Sequence, residues 1–379
     1  MATKPLSIYI HVPYCVSRCG YCDFNTYTPS ELNGDLAGVS NGYIDSLIQE
    51  VKLAKQRVNE QISTIFIGGG TPTLLQPGDF KRLLNVLKET FGFINDIEIT
   101  IEANPDSVSE EKLNQLREIG INRISFGMQS AVPHVLKVLD RTHNPENVEK
   151  AVNIAKRVGF SEISVDLIYG TPGESIQDWK LSVEKALSFP ITHISAYSLI
   201  LESGTRLTNQ VKRGEFQLPD DGETAEKYLL ADEAFTKHGF NWYELSNWAK
   251  PGSECRHNLA YWTGANWWGL GPGSHSHIDG ERFWNIKHPT SYRAALESGS
   301  PMADRELLTA EQRESERVML EIRLSSGIEK ASLKSAQIEK ISDYVEGGEL
   351  DKSAWQNGRI VLTPNGRLVA DRIVREILF

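Results

Sequence analysis

The chain has 379 residues, 40% of them hydrophobic and 24% charged, and its 50 acids against 40 lysines and arginines give a formal net charge of −10. This is the composition of an ordinary globular protein long enough to bury a large core, which excludes a disordered chain. The acidic balance also argues against a nucleic-acid partner, because binding phosphates requires a basic face.

Residues 1–20 lack the apolar run and small-residue cleavage site of a signal peptide, and no later run approaches the roughly 18 apolar residues of a membrane span. A cytoplasmic protein with no integral membrane segment is expected. Three of the four cysteines, Cys15, Cys19 and Cys22, fall within eight residues, while Cys255 stands alone. That clustering is no disulfide framework and points to a reducing compartment with a local metal or redox site.

In chain order, residues 6–11, 63–67, 98–102, 123–126, 163–168 and 193–197 are short β-branched runs that predict strands. Between them, 43–58, 79–91, 110–119, 145–158 and 176–187 place apolar residues three and four apart and predict helices. Repeated strand–helix units imply an α/β fold with a parallel sheet and right-handed crossovers. Six units in about two hundred residues are too few for a closed eight-unit barrel of roughly 250, so an open partial barrel or a doubly wound sheet is expected.

Each polar oddity sits at the end of such a strand: the cysteines after the first, Gly68-Gly69-Gly70-Thr71-Pro72 after the second, Glu102 at the end of the third, Gln129 after the fourth and Asp166 within the fifth. In either architecture these positions converge on the carboxyl edge of the sheet, where ligands bind.

After residue 240 the character changes. Six of the eight tryptophans lie between Trp242 and Trp284, in a stretch also dense in glycine. Beyond Pro301 the pattern predicts a helix over 310–324, an Asn357-Gly358 turn, a strand over 359–363 and a last helix capped by Thr363-Pro364. The expected organisation is a core over 1–240, an aromatic and glycine-rich segment over 241–300, and a small, mainly helical, winged-helix-like domain over 301–379.

The Cys15-Val-Ser-Arg-Cys19-Gly-Tyr-Cys22 stretch offers three soft thiolates, enough to hold three irons of a 4Fe-4S cluster and leave the fourth open. Structural zinc, with His11 or Cys255 as a fourth ligand, and inert core cysteines are the alternatives. This spacing, Tyr21 before the third cysteine and the Gly68–Pro72 stretch resemble the radical S-adenosylmethionine (SAM) superfamily. The resemblance implies a partial barrel, a 4Fe-4S cluster on Cys15, Cys19 and Cys22, and SAM on the open iron.

The stretches at 6–15, 101–105, 123–129 and 165–172 further resemble the oxygen-independent coproporphyrinogen III oxidase group and its relatives over nearly the whole chain. By position this implies SAM contacts from Tyr9, Tyr21, Gly69, Gly70, Thr71, Glu102, Gln129, Arg141 and Asp166. The true oxidases carry a further cysteine where this chain has Phe24, and a long N-terminal extension where only fourteen residues precede Cys15.

The segment Cys255-Arg-His257-Asn258-Leu-Ala-Tyr261-Trp262 resembles the HNxxYW pattern of HemW-type heme chaperones. That resemblance implies a heme site formed by His257, Asn258, Tyr261 and Trp262, with His257 on the iron, and a heme-acceptor protein as partner. A neutral imidazole can ligate iron, and the aromatic rings can cover a macrocycle. Read without the resemblance, His257-Asn258 caps a turn and the aromatics belong to a core. His275 and His277 form another ligand pair or a hydrogen-bonded bend, and no C-x-x-C-H motif accompanies Cys255.

The expected function is therefore heme binding and transfer rather than catalysis, with an electron donor as a second partner if the cluster is reduced. The alternative is radical SAM decarboxylation of porphyrinogen propionates.

Overall fold

In the computed structural model, which describes residues 5–379, the six expected strands form as β1 (Leu6–Val12), β2 (Ile62–Gly69), β3 (Phe93–Ala103), β4 (Arg123–Gln129), β5 (Glu162–Tyr169) and β6 (His193–Ser198). They pair as parallel neighbours in chain order. A doubly wound sheet would reverse that order at a switch point, whereas consecutive pairing winds the units about one axis as a barrel does. The fold is thus an open, six-unit β/α barrel.

The expected helices fill the crossovers as Tyr43–Lys55, Pro77–Phe91, Glu110–Glu118, Pro145–Arg157 and Ile176–Leu187. Their starts follow from local chemistry: Ser109 and Asn144 accept backbone N–H groups at their helix N-termini, and Ser175 forms a capping box with Asp178. Alternate strand residues such as Ile8, Ile10, Ile65, Ile67, Ile99, Ile101, Ile124 and Val165 are buried in one core with Leu47, Leu83, Leu113, Val152 and Val183 of these helices. The intervening positions carry Tyr9, Phe66, Thr100, Glu102, Arg123, Ser125, Ser164, Asp166, His193 and Ser195, which line a cavity instead. Two-residue periodicity therefore separates an apolar outer face from a polar inner one.

Residues 241–300 depart from the expected separate segment by extending the core sheet at both edges. Antiparallel β7 (Asn241–Glu244) and β8 (Asn247–Ala249) follow β6. On the other side β9 (Trp267–Leu270) lies parallel to β1, and β10 (His275–Ile278), β11 (Glu281–Asn285) and β12 (Met302–Leu307) continue antiparallel. The order is β12-β11-β10-β9-β1-β2-β3-β4-β5-β6-β8-β7. The expected boundary at 300 falls between the paired strands β11 and β12. These strands are three to six residues long, too short for a visible alternation.

Towards the C-terminus, the Ala310–Glu321 helix stops three residues before its expected end. Of the expected 359–363 strand, Arg359–Ile360 pairs with Ile328–Glu329 and Leu362 forms a single antiparallel bridge to Leu350, while the last helix divides at Val369 into Pro364–Leu368 and Ala370–Leu378. Val318, Ile322, Ile328, Ile341, Ile360 and Ile373 form a second core of their own. Among the described residues no helix is long and apolar enough to cross a membrane.

Candidate functional site

Cys15, Cys19 and Cys22 follow β1 on one loop, each partly exposed and free of disulfides. All three line a single cavity of about 980 Å³ inside the barrel. Cys15 Sγ accepts a hydrogen bond from Thr71 Oγ1 at 3.8 Å, and Cys19 Sγ accepts one from Arg141 Nη1 at 3.3 Å. Burial, followed by the charges of neighbouring thiols, pushes Cys22 up to about 11, and burial raises Cys15 as well. Such thiols hold their protons until a metal replaces them. A cluster takes one thiolate per iron, and three free thiols around one cavity suit it.

Beside the cysteines, the turn after β2 is open because it is glycine. Gly69 holds φ +108°, and a Cβ there would lie 2.7 Å from the His11 ring. A Cβ on Gly70 would run into the Tyr14 carbonyl. Glu102 Oε2 accepts the Gly69 N–H at 3.1 Å, and burial together with the Asp166 charge pushes the Glu102 carboxyl up to about 8. Burial also raises Asp166, against hydrogen bonds from Ser195 and from Ser125, whose Oγ lies 3.0 Å from both Asp166 oxygens.

Gln129 adopts φ +61°, which is unusual for a non-glycine residue, and its buried Oε1 has no partner. Arg141 spans Cys19, the Gly127 carbonyl at 3.2 Å and His143 at 3.3 Å. Tyr9 hydrogen-bonds His11 Nδ1 at 2.9 Å, and Tyr21 packs on a small apolar cluster with Val132, Val135, Leu139 and Ile168. With Thr71, all nine positions that the sequence associates with SAM line the cavity. Two carboxyl groups, an arginine and an open glycine turn form a receptacle for a zwitterionic amino acid and ribose hydroxyls.

The HNxxYW stretch is the short helix Arg256–Trp262, placed across the barrel by a buried acid. Glu98 of β3 accepts the backbone N–H groups of Arg256 at 3.0 Å and His257 at 2.9 Å, and the Cys255 thiol at 3.6 Å. A carboxylate at a helix N-terminus is favourable. His257, Asn258 and Tyr261 line the cavity, while Trp262 does not. His257 is 1% exposed. Its Nδ1 is 2.8 Å from Thr64 Oγ1, its Nε2 is 2.9 Å from the Tyr261 hydroxyl, and its ring stacks on Phe66 at 5.3 Å. Burial pushes its pKa down to about 3, so the ring is neutral, as iron ligation requires, but both nitrogens are engaged.

The other histidine pair belongs elsewhere. His275 stacks on Trp284 and His277 bonds the Ala265 carbonyl, both away from the cavity. Cys255 is buried, and burial together with Glu98 raises its thiol to about 12, so it is a packed, protonated group.

Sequence reasoning missed Arg123, His193, Tyr197 and Tyr243, which complete the inner wall. His193 Nδ1 bonds Ser164 Oγ at 2.7 Å and its Nε2 bonds the Tyr243 hydroxyl at 2.8 Å. A signal existed: in a parallel strand buried on both faces, polar residues recurring at every second position mark an inner surface kept for a ligand. At the opposite end of the cavity the rim carries exposed apolar side chains, Val16 72%, Phe24 57% and Ile200 68%, among polar ones such as Arg18, Asp23 and Glu202.

Comparison with known proteins accords with this geometry. Residues 9–186 match the radical SAM superfamily. The chain is 43% identical to the heme chaperone HemW of Mycobacterium tuberculosis, across 100% of this chain and 96% of that protein. It is 34% identical to the heme chaperone HemW of Bacillus subtilis, across 97% of each. Among solved structures it resembles coproporphyrinogen III oxidase (HemN) from Escherichia coli, a radical SAM enzyme, with a TM-score of 0.83 and 21% identity over 99% of this chain and 90% of that one.

Proposed function

We propose, for a chain that belongs to the HemW family of heme chaperones within the radical SAM superfamily, that it binds heme and passes it to acceptor proteins. One observation carries the reading: the HNxxYW helix faces the same cavity as the three cysteines and the nine SAM positions, beneath a rim with exposed apolar side chains. A heme needs an apolar surface that excludes water and a neutral nitrogen donor, and this cavity offers both.

Cys15, Cys19 and Cys22 would hold a 4Fe-4S cluster, and the Gly69–Thr71 turn with Glu102, Gln129, Arg141 and Asp166 would hold SAM. The bound cluster supplies one-electron chemistry at its open iron. The chain's own residues orient the ligands. Arg141 pairs with a carboxylate, and Glu102 and Asp166 accept ammonium or hydroxyl protons, while Val16, Phe24 and Ile200 shield one end from water. His257 donates to heme iron once Tyr261 releases its Nε2. Cytoplasmic residence suits free thiols, and an electron donor is a partner when the cluster is reduced.

Conversion of coproporphyrinogen III is not expected, because Phe24 occupies the position of the oxidases' further cysteine. The test is anaerobic. Cluster-reconstituted protein and a His257→Ala variant are titrated with hemin, and parallel samples receive coproporphyrinogen III, SAM and a reductant. A heme absorption shift that the variant loses, with no protoporphyrinogen formed, supports the carrier. Robust decarboxylation would overturn it.

A further inference from the structure

At the end of the cavity remote from the rim, Arg123 opens β4 on the inner face, with a side chain only 3% exposed. Its Nη1 donates to the Ser253 carbonyl at 2.9 Å and lies 3.6 Å from Glu162 and 4.0 Å from Glu98. Its Nη2 is buried, lines no hydrogen bond to any protein atom, and belongs to a residue of the cavity wall. Thr100 Oγ1, on the same wall, is likewise buried and unpartnered. A buried guanidinium N–H without an acceptor is costly, and native interiors rarely leave one.

The two nearby acids do not fill this need. Glu98 is committed to the backbone N–H groups of Arg256 and His257, and Glu162 accepts from Thr192 Oγ1 at 2.8 Å and is 30% exposed. Around Arg123 the cavity wall presents hydroxyl and amide groups from Ser164, Tyr243 and Asn258. Glu98 and Glu162 approach Nη1 and leave Nη2 without an acceptor, and a guanidinium N–H takes a carboxylate in preference to an apolar or cationic group.

We infer that Arg123 is the anchor of a carboxylate subsite that receives a propionate of the bound heme, an assignment that rests on the heme-carrier reading. The macrocycle is thereby held at two places: at its iron by the HNxxYW helix, and at its edge by the guanidinium of β4. Water alone on Nη2 is the competing occupant.

The experiment compares hemin with hemin dimethyl ester, identical except that the carboxylates are masked, by anaerobic absorbance titration of cluster-loaded protein. Wild type is expected to bind hemin about tenfold or more tighter than the ester, the scale of one charge-assisted hydrogen bond. Arg123→Gln is expected to bring hemin down to the ester's affinity and leave the ester unchanged. Equal binding of hemin and ester by the wild type would overturn the subsite while leaving the carrier reading intact. Absence of binding by both would overturn the carrier reading itself. The wild-type comparison decides the matter even where Arg123→Gln does not fold.

Discussion

Two residues inside the cavity set conditions on its ligands. His257 is poised but closed, because the Tyr261 hydroxyl occupies the nitrogen that would meet iron. Tyr261→Phe removes that competitor, so hemin affinity is expected to rise by about fivefold, the worth of a typical hydrogen bond of roughly 1 kcal/mol. Weaker hemin binding in a titration of this variant would show that the hydroxyl contacts the heme instead. Glu102 is the second. Its carboxyl titrates at about 8 in the fold against an ordinary 4.5, chiefly from burial and then from Asp166. Between those values the unfolded chain binds fewer protons, so stability of the ligand-free protein falls as pH rises from 4.5 and levels off above 8. Glu102→Gln is expected to flatten that fall, gaining on the wild type by at most about 1.4 kcal/mol per pH unit. Urea midpoints at pH 6, 7 and 8 that run parallel in the two proteins would contradict it.

Among the elements, the HNxxYW helix depends most on one side chain. Glu98→Gln removes the charge that accepts two of its backbone N–H groups, and a loss of about 1–3 kcal/mol is expected. The same change should expose the Cys255 thiol, so faster labelling by a thiol reagent is the second readout, and unchanged labelling would count against the anchoring role. The sequence shows the helix's chemistry but not its anchor, because Glu98 lies 159 residues away from His257 and meets it only across the barrel. The parallel strands and their helices are legible because six β-branched runs alternate with five segments of 3.6-residue periodicity. β7 to β12 are not, since they are short and β9 finds its partner in β1, where Trp267 pairs with Ser7 far back in the chain. The cysteines and glycine turn declare themselves by spacing. Arg123 and His193 are marked only by the alternation of polar residues along their strands, which takes its meaning from the face on which the barrel places them.

At the scale of the whole molecule, two hydrophobic cores are joined by a buried ion pair. Arg367 donates from both terminal nitrogens to Asp232, at 2.7 and 2.6 Å, and lies over the Trp242 ring. Asp232→Ala leaves that guanidinium buried and unpaired, at an expected cost of about 3–5 kcal/mol. Calorimetry should then resolve an early transition of the C-terminal core, and a single transition would show that the two cores remain coupled without the pair. The larger claim is that one cavity serves cluster, SAM and heme. Ligands that share a cavity alter each other's affinity, and the coupling is reciprocal. The most direct measurement is an anaerobic hemin titration of cluster-loaded protein with and without saturating SAM. The account predicts that SAM changes the hemin dissociation constant by about fivefold or more. Superimposable titrations would place heme elsewhere on the molecule and contradict it.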